Sequence, residues 1–288
     1  MKISVKDRIA YFLVAHVTPW YRFPAYFNLI KTADFSVDHS GPSIMVSELM
    51  GGESKHPPVG SYLADYAIPI IFKLLSECTE DVDYVSISLH RKVILRASIG
   101  YPAKNHPGMY LVSGSLITED SLRFDRRSNY LIMPPLHFEQ GIEWQYKRAH
   151  LKEDFDALLR LSVCAGVLPV SEVKLFCSSK TLFPGVMLGV MPSDTFKYLA
   201  GLYSEFTHYT DLVDFRCSRP TDVYQRRARS FFTERLCSHW LRTVTSYVHS
   251  EDVYSASDCY VFNDDDFGFC ITVDDQNFET GLYSIGQS

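Results

Sequence analysis

No stretch of this 288-residue chain approaches the ~20 consecutive apolar residues that cross a bilayer. No Cys-x-x-Cys pair occurs, and the cysteines are odd in number: Cys78, Cys164, Cys177, Cys217, Cys237, Cys259 and Cys270. An odd count without paired spacing argues against a disulfide framework and a zinc site, and for a reducing compartment. Gly-x-Gly-x-x-Gly, the Walker loop and the Gly-x-Ser-x-Gly elbow are all missing. No internal repeat or low-complexity linker divides the chain. The apolar run over residues 9–17 ends at His16 and Pro19 without a small-residue cleavage site, so the expectation there is a buried strand.

Positive charge is also short. Lys and Arg number 28 against 34 Asp and Glu, a net charge of −6, so the whole chain is not a nucleic-acid binder by electrostatics. The charge is uneven, however. Asp264, Asp265, Asp266, Asp274 and Asp275 crowd the C-terminal end, and Arg219, Arg226, Arg227, Arg229 and Arg235 crowd the stretch before it. Such a basic zone on an acidic molecule suits a phosphate, or a membrane surface bearing phospholipid or lipid-linked diphosphate. What the chain has in quantity is aromatic side chains, 18 Tyr and 19 Phe. They are enough for a large core, and they also suit sugar- or base-stacking surfaces.

Residues 9–15 form a continuous apolar run closed by His16, the pattern of a central strand buried on both faces. Residues 83–89 alternate and read as a second core strand, closed by His90-Arg91-Lys92. A Pro-, Gly- and Ser-rich loop is expected over 41–60. A helix follows over 61–77, which Pro69 should kink or restart. Residues 131–135 read as a short strand closed by prolines, 146–164 as one helix, and 183–190 as a Gly-interrupted strand. Ser193 reads as the N-cap of a helix to about Phe206. An unbroken helix is expected from Thr221 to about Val248, and 267–273 is strand-like. The pattern implies an α/β fold, an open sheet flanked by helices. It gives one domain over 1–248 and an acidic, aromatic extension over 249–288 packed on it.

In open α/β sheets, ligands bind at the carboxyl ends of the strands. Two strand ends carry unusual residues, His16-Val17-Thr18 and His90-Arg91-Lys92. The second is a basic triplet that either holds a diphosphate through charge-assisted hydrogen bonds or is a solvated turn. Arg227, Phe231 and Glu234 return to one helix face at ~100° per residue. That stripe of cation, ring and carboxylate is either a cleft wall or a solvated surface. Asp81-Val82-Asp83 and Asp264-Asp265-Asp266 have the letters of an Asp-x-Asp metal site. The first precedes its strand and the second lies in the tail, so neither is assigned a metal.

Taken in order, these segments resemble a known family, the bacterial polysaccharide-assembly group termed domain of unknown function 4422. That family opens with a strand ending in His, as in Phe12-Leu13-Val14-Ala15-His16, and continues with an aromatic-rich helix, which residues 62–73 resemble. Its next strand is Asp-Tyr-hydrophobic-Gly closed by His-Tyr-Arg-Arg. Here Asp83-Tyr84-Val85-Ser86-Ile87-Ser88 is followed by Leu89-His90-Arg91-Lys92. Residues 145–150 with Asp154-Phe155-Asp156 look like its Tyr…His…Asp segment. Residues 227–236 look like its Arg-x-x-Gly-Phe-x-x-Glu-Arg-Leu helix, with Ser230 in place of Gly.

The resemblance, over about residues 9–247, implies a glycosyltransferase of GT-A-like fold. It would move a sugar from a nucleotide-sugar donor, UDP-linked first of all, to a bacterial surface-polysaccharide acceptor, a glycan or lipid-linked glycan. It implies a cytoplasmic protein peripheral at the inner membrane and leaves the need for a divalent metal open. On that reading Glu234 and His90 are the catalytic candidates. His16, Thr18, Arg91, Lys92, Arg227 and Arg235 would face the donor, and Tyr146, His150 and Asp154 the substrate. Leu89 stands where the family has His, and His90 where it has Tyr. The alternative is therefore a non-catalytic glycan- or nucleotide-binding relative.

Overall fold

The computed structural model describes residues 2–49, 64–96, 99–103, 109–124, 126, 129–133, 135–222, 224–245, 253–255 and 257–262. In chain order the strands are β1 (Ile9–Ala15), β2 (Asn28–Lys31), β3 (Ser43–Met45), β4 (Tyr84–Leu89), β5 (Lys92–Leu95), β6 (Tyr101–Pro102) and β7 (Met109–Ser113). They continue as β8 (Tyr130–Ile132), β9 (Leu136–His137), β10 (Thr181–Leu182), β11 (Gly189–Pro192), β12 (Val253–Ser255) and β13 (Ser257–Phe262). The helices are α1 (Val46–Leu49), α2 (Ala64–Ser76), α3 (Glu119–Leu122), α4 (Ile142–Ala149), α5 (Lys152–Cys164), α6 (Val173–Ser178), α7 (Ser193–Leu212) and α8 (Ala228–Thr245). No described helix is long and apolar enough to cross a membrane.

β1 is the keystone. All seven of its residues are buried. Ala10, Phe12 and Val14 pack with the helices, whereas Ile9, Tyr11, Leu13 and Ala15 pack into a second core on the other face. That is the period of two expected of a strand enclosed on both sides. β1 runs parallel to β2 and β4, and β2 parallel to β3. Beyond β4 comes β11, antiparallel, then β8, with β12 parallel to β8. The resulting order β3-β2-β1-β4-β11-β8-β12 has a single reversed strand.

β4 also turns through His90 and Arg91 into β5, with Leu89 opposite Lys92. β5 pairs with β13, β13 with β7 and β7 with β6. β12 and β13, from the stretch assigned to an extension, thus lie within the sheet. The boundary at 248, Tyr62, the Asp264–Asp266 run and the strand-like 267–273 lie outside the described residues.

Several expectations are corrected. β3 and α1 occupy the start of the expected 41–60 loop. α2 continues through Pro69 without restarting. The proline forfeits one backbone bond, at a cost of about 3 kcal/mol, which burial of Ile68, Ile70, Ile71 and Leu74 offsets at about 1.5–3 kcal/mol each. The single helix expected over 146–164 is two, broken at His150 and Leu151, which adopt extended backbone. Of the strand expected over 183–190, only 189–190 belong to β11, and the residues before them form the turn that feeds it. Ser193 is the first residue of α7 rather than its cap, and α7 runs on to Leu212. α8 starts at Ala228 after a 3₁₀ turn at Gln225–Arg227, because Asp222 caps the segment by accepting the amides of Tyr224 and Gln225.

The start of α8 is locked to two other helices. Arg229 pairs with Asp211 of α7 at 2.6 Å and Asp65 of α2 at 3.3 Å. The Ser230 hydroxyl donates to Asp65, and the Tyr66 hydroxyl to Asp211 at 2.8 Å.

Gly189 opens β11 at φ +91°, and a Cβ there would overlap the Leu131 carbonyl oxygen of β8. Gly189→Ala should lower stability by about 2–4 kcal/mol. Urea denaturation checks this, and an unchanged midpoint would mean the β8–β11 seam is misread.

Candidate functional site

The parallel pairing of β1 with β4 brings the residues just past both strands together. His16 follows β1, His90 follows β4, and the His90 amide donates to the Val14 carbonyl at 3.1 Å. Their rings meet edge to face, centroids 4.3 Å apart. The loop after β1 folds back over this corner. Trp20 donates its amide to the His90 carbonyl at 3.1 Å, and the Tyr21 hydroxyl donates to the Leu89 carbonyl at 3.0 Å. The Trp20 ring stands 6.4 Å from His90, edge on, and the Arg91 guanidinium lies 5.8 Å from the Trp20 ring. His90 is buried, and His16 is half-buried.

α8 approaches the same corner. Arg227, in the turn before it, is exposed and holds its guanidinium 5.2 Å over Phe231. His150 stacks on the other partners of that ring, 4.1 Å from Phe231 and 5.5 Å from Tyr224. This stacking is why the chain leaves the helical path at His150, although no Gly or Pro stands there.

The histidines are held neutral. Burial first, then the charges of His16 and Arg91, pushes His90 down to about 3 from 6.5. Burial, then Arg91 and Arg227, lowers His16. Burial, then Arg235 and Arg227, takes His150 down to about 4. A neutral imidazole offers one N–H donor and one acceptor nitrogen. Two such rings between two guanidiniums make a poor seat for a divalent cation and a good one for an anion. Among the described residues, no group of three or more His, Cys, Asp or Glu could hold a metal.

The other sequence candidates fall in different places. Lys92 opens β5, beside the corner. Thr18 sits on the exposed loop, its hydroxyl donating to the Ser36 carbonyl at 3.1 Å. Tyr146 is fully enclosed, donating to the Ala228 carbonyl at 3.2 Å. Asp154 is buried too, one oxygen accepting the Ser218 amide at 2.7 Å and its hydroxyl at 2.6 Å. Arg235 is 3% exposed, 4.9 Å from the Tyr146 ring, and donates to Gln145 at 3.0 Å and to the Phe231 carbonyl. These three form the support beneath the corner rather than its open wall.

The expected Arg227–Glu234 stripe holds no ion pair. Glu234 is half-buried, and one of its oxygens accepts the Gly185 amide at 2.7 Å. Sequence reasoning missed Trp20, Gln145 and Gly185. Trp20 could have been noticed as a large ring four residues past a strand-ending His, on a loop.

Asp83 precedes β4 and therefore lies at the opposite edge of the sheet. There it pairs with Arg8 at 2.8 Å and Arg126 at 3.3 Å, in a depression lined also by Tyr84, Asn129 and Ser193.

No family model matches the chain, and no curated protein matches it. Among solved structures, it is similar to the apo structure of the WbbM bifunctional glycosyltransferase, with a TM-score of 0.61 at 14% identity. The match covers 88% of this chain and 45% of that one, so this chain spans less than half the length of its neighbour. The likeness shows the fold alone, a mixed α/β sheet flanked by helices.

The depressed histidines carry a pH dependence. As pH falls below 6.5 the unfolded chain takes up protons that folded His90 and His150 refuse, so stability present above pH 6.5 is lost down to about pH 4 for His150 and about pH 3 for His90. The expected slope is about 1.4 kcal/mol per pH unit for each histidine. His150→Phe should remove one such share between pH 6.5 and 5, measured by urea denaturation. An unaltered slope would show that His150 is not held neutral.

Proposed function

We propose that this chain is a glycosyltransferase that binds a nucleotide-sugar, UDP-linked first of all, at the corner formed by β1, β4 and the start of α8. The observation that carries this reading is the convergence of Arg91 and Arg227 on the neutral pair His16 and His90 at the carboxyl ends of parallel strands. A departing nucleoside diphosphate develops negative charge, and fixed cations with preset N–H donors stabilise that charge without reorganising. Arg91 and Arg227 supply the cations. The His16 ring donates to a phosphate or ribose oxygen, and buried His90 holds that ring in position. Trp20 closes the corner, with Thr18 and Lys92 at its rim.

The fold likeness supports the transferase class, and the resemblance to domain of unknown function 4422 supports surface-polysaccharide assembly, with a glycan or lipid-linked glycan as acceptor. That acceptor is met at the cytoplasmic face of the inner membrane, where the protein would be peripheral. The donor set favours neutralisation by arginine over a bound divalent metal. A second reading, nucleotide binding without transfer, draws on Leu89, which stands where the resembled family carries His.

Thermal unfolding with UDP, GDP, CDP or TDP at millimolar concentration tests the donor site. At 100 times its Kd a ligand adds ~2.7 kcal/mol of stability. The rise should persist in EDTA. Arg91→Ala or Arg227→Ala should weaken Kd about tenfold or more, a charge-assisted bond being worth about 1.5–3 kcal/mol. No rise with any of the four, with or without Mn²⁺, would remove the donor site. A rise without turnover of any nucleotide-sugar would leave the second reading.

A further inference from the structure

The edge of the sheet opposite the candidate corner holds a second built feature. Ser193, at the start of α7, lines the depression beside Asp83. It is 4% exposed, and its hydroxyl has no hydrogen-bond partner among the described residues. We propose that this depression binds one neutral sugar ring of a glycan, at a site separate from the nucleotide corner. The proposal stands without the transferase reading, because it uses none of the corner's residues.

The depression is tied together from several chain segments. Asp83 pairs through one carboxylate oxygen with Arg8 at 2.8 Å and through the other with Arg126 at 3.3 Å. Its backbone amide donates to the Arg8 carbonyl at 2.8 Å, and its carbonyl accepts the Ser193 amide at 2.7 Å. Arg126 also donates to the Asp7 carbonyl and lies 5.6 Å from the Tyr84 ring. The Tyr84 hydroxyl donates to Asn129 at 3.1 Å. Walls held in this way are preset, which lowers the ordering cost of taking a ligand.

Charge decides the class of ligand. Asp83 and Asp194 line the depression with Arg126, and Arg8 pairs with Asp83, so the carboxylates and guanidiniums balance. Asp194, one residue into α7, already supplies the negative charge that a helix start favours, and it would repel a phosphate. A cationic ligand would meet Arg126, and among the described residues no group of three or more His, Cys, Asp or Glu could hold a metal. A neutral ligand meets neither penalty.

The hydrogen-bonding capacity left over suits hydroxyls. The Ser193 hydroxyl can donate and accept, and a buried hydroxyl without a partner is both costly and rare. The carboxylate of exposed Asp194 makes no hydrogen bond or ion pair among the described residues and can only accept. Arg126, with its donors shared between Asp83 and Asp7, has N–H groups to spare. Neighbouring hydroxyls of one sugar, each a donor and an acceptor, can meet all three residues. Half-buried Tyr84 adds ring surface for the apolar side of the sugar. The depression encloses about 330 Å³, at the small end of ligand pockets, which run from about 300 to 1,000 Å³, and so suits a ring rather than a length of chain.

β4 runs from Tyr84 to Leu89, so at ~3.3 Å per residue the depression lies roughly 20 Å from the His90 corner. With the transferase reading, a glycan acceptor held at both places would span the sheet, and the second contact would raise its effective concentration at the corner.

Ligand-observed NMR with the methyl glycosides of glucose, galactose, mannose, rhamnose and N-acetylglucosamine, each at millimolar concentration, tests the site. Inorganic phosphate and spermidine are the charged comparators, and UDP affinity and melting temperature are measured alongside. At least one glycoside should bind. Ser193→Ala should weaken its Kd about fivefold and Asp194→Ala about tenfold or more. Ser193→Ala should leave the melting temperature unchanged or raised, because the hydroxyl it removes has no partner within the protein, and both variants should bind UDP as the unaltered chain does. Asp194 is exposed, so Asp194→Ala decides the matter should Ser193→Ala fail to fold. Binding of none of the five glycosides overturns the proposal. Glycoside binding that neither variant weakens places the sugar elsewhere and overturns it. Phosphate or spermidine binding that the variants abolish, with no glycoside bound, overturns it in favour of a charged ligand. Loss of UDP binding by the unaltered chain bears on the transferase reading alone.

Discussion

β1 is enclosed on both faces, and a strand so placed tolerates only one register. A slip of one residue would exchange Ala10, Phe12 and Val14, packed on the helices, with Ile9, Tyr11, Leu13 and Ala15 on the other side. Each large side chain buried there contributes about 1.5–3 kcal/mol, so the register is expensive to lose. It sets Val14 opposite Leu89, with His90 directly after Leu89 and His16 two residues past Val14. The meeting of His16 with His90 is thus a consequence of core packing several residues away. Burial keeps the rings neutral, and that neutrality lets them sit between arginines without adding repulsion.

The same reasoning sorts the basic zone seen in the sequence. Arg227, Arg229 and Arg235 are close in sequence but meet different surroundings. Arg229 points into the α2–α7 side, where Asp65 and Asp211 compensate it. Arg235 points under the site, against Tyr146 and Gln145, where a guanidinium is held by a ring face and neutral oxygens. Arg227 is the exposed one, lying over Phe231, and its charge is felt by His16 just past β1. The two buried arginines hold the helix in place, and the third reaches the corner. A charge count would have treated all three alike.

What could be read from sequence follows from how local each cause is. β1 and β4 were legible because enclosure on both faces leaves an apolar run in β1, while β4 alternates apolar residues with small serines that are buried as well. The helix of Glu234 was legible from uninterrupted spacing, but it starts seven residues later than that spacing implies, because Asp222 caps a separate 3₁₀ turn that holds Arg227. The break at His150 was not legible. It exists because an imidazole finds Phe231 and Tyr224 in a distant segment, and nothing in the sequence around residue 150 demands it. β13 was missed for the same reason. It is a short, partly polar segment whose strand character comes from pairing with β5 and β7, over 140 residues back in the chain. Glu234 could be singled out by spacing, but its partner Gly185 stands 49 residues earlier, and nothing in the spacing marks that contact.

Arg91 and Arg227 stand on separate elements, a turn after β4 and a turn before α8, with neutral rings between them. A single carboxylate would engage one guanidinium and leave the other beside a ring it does not need. A diphosphate carries its charge over two linked groups and can meet both. On the proposed reading, the turn before α8 brings Arg227 to the leaving group. The helix that follows is tied to α2 and α7 through Arg229 and to α4 through Arg235. The cation at the leaving group is thereby positioned by a turn whose following helix is fixed against three others, which is what a preset site requires.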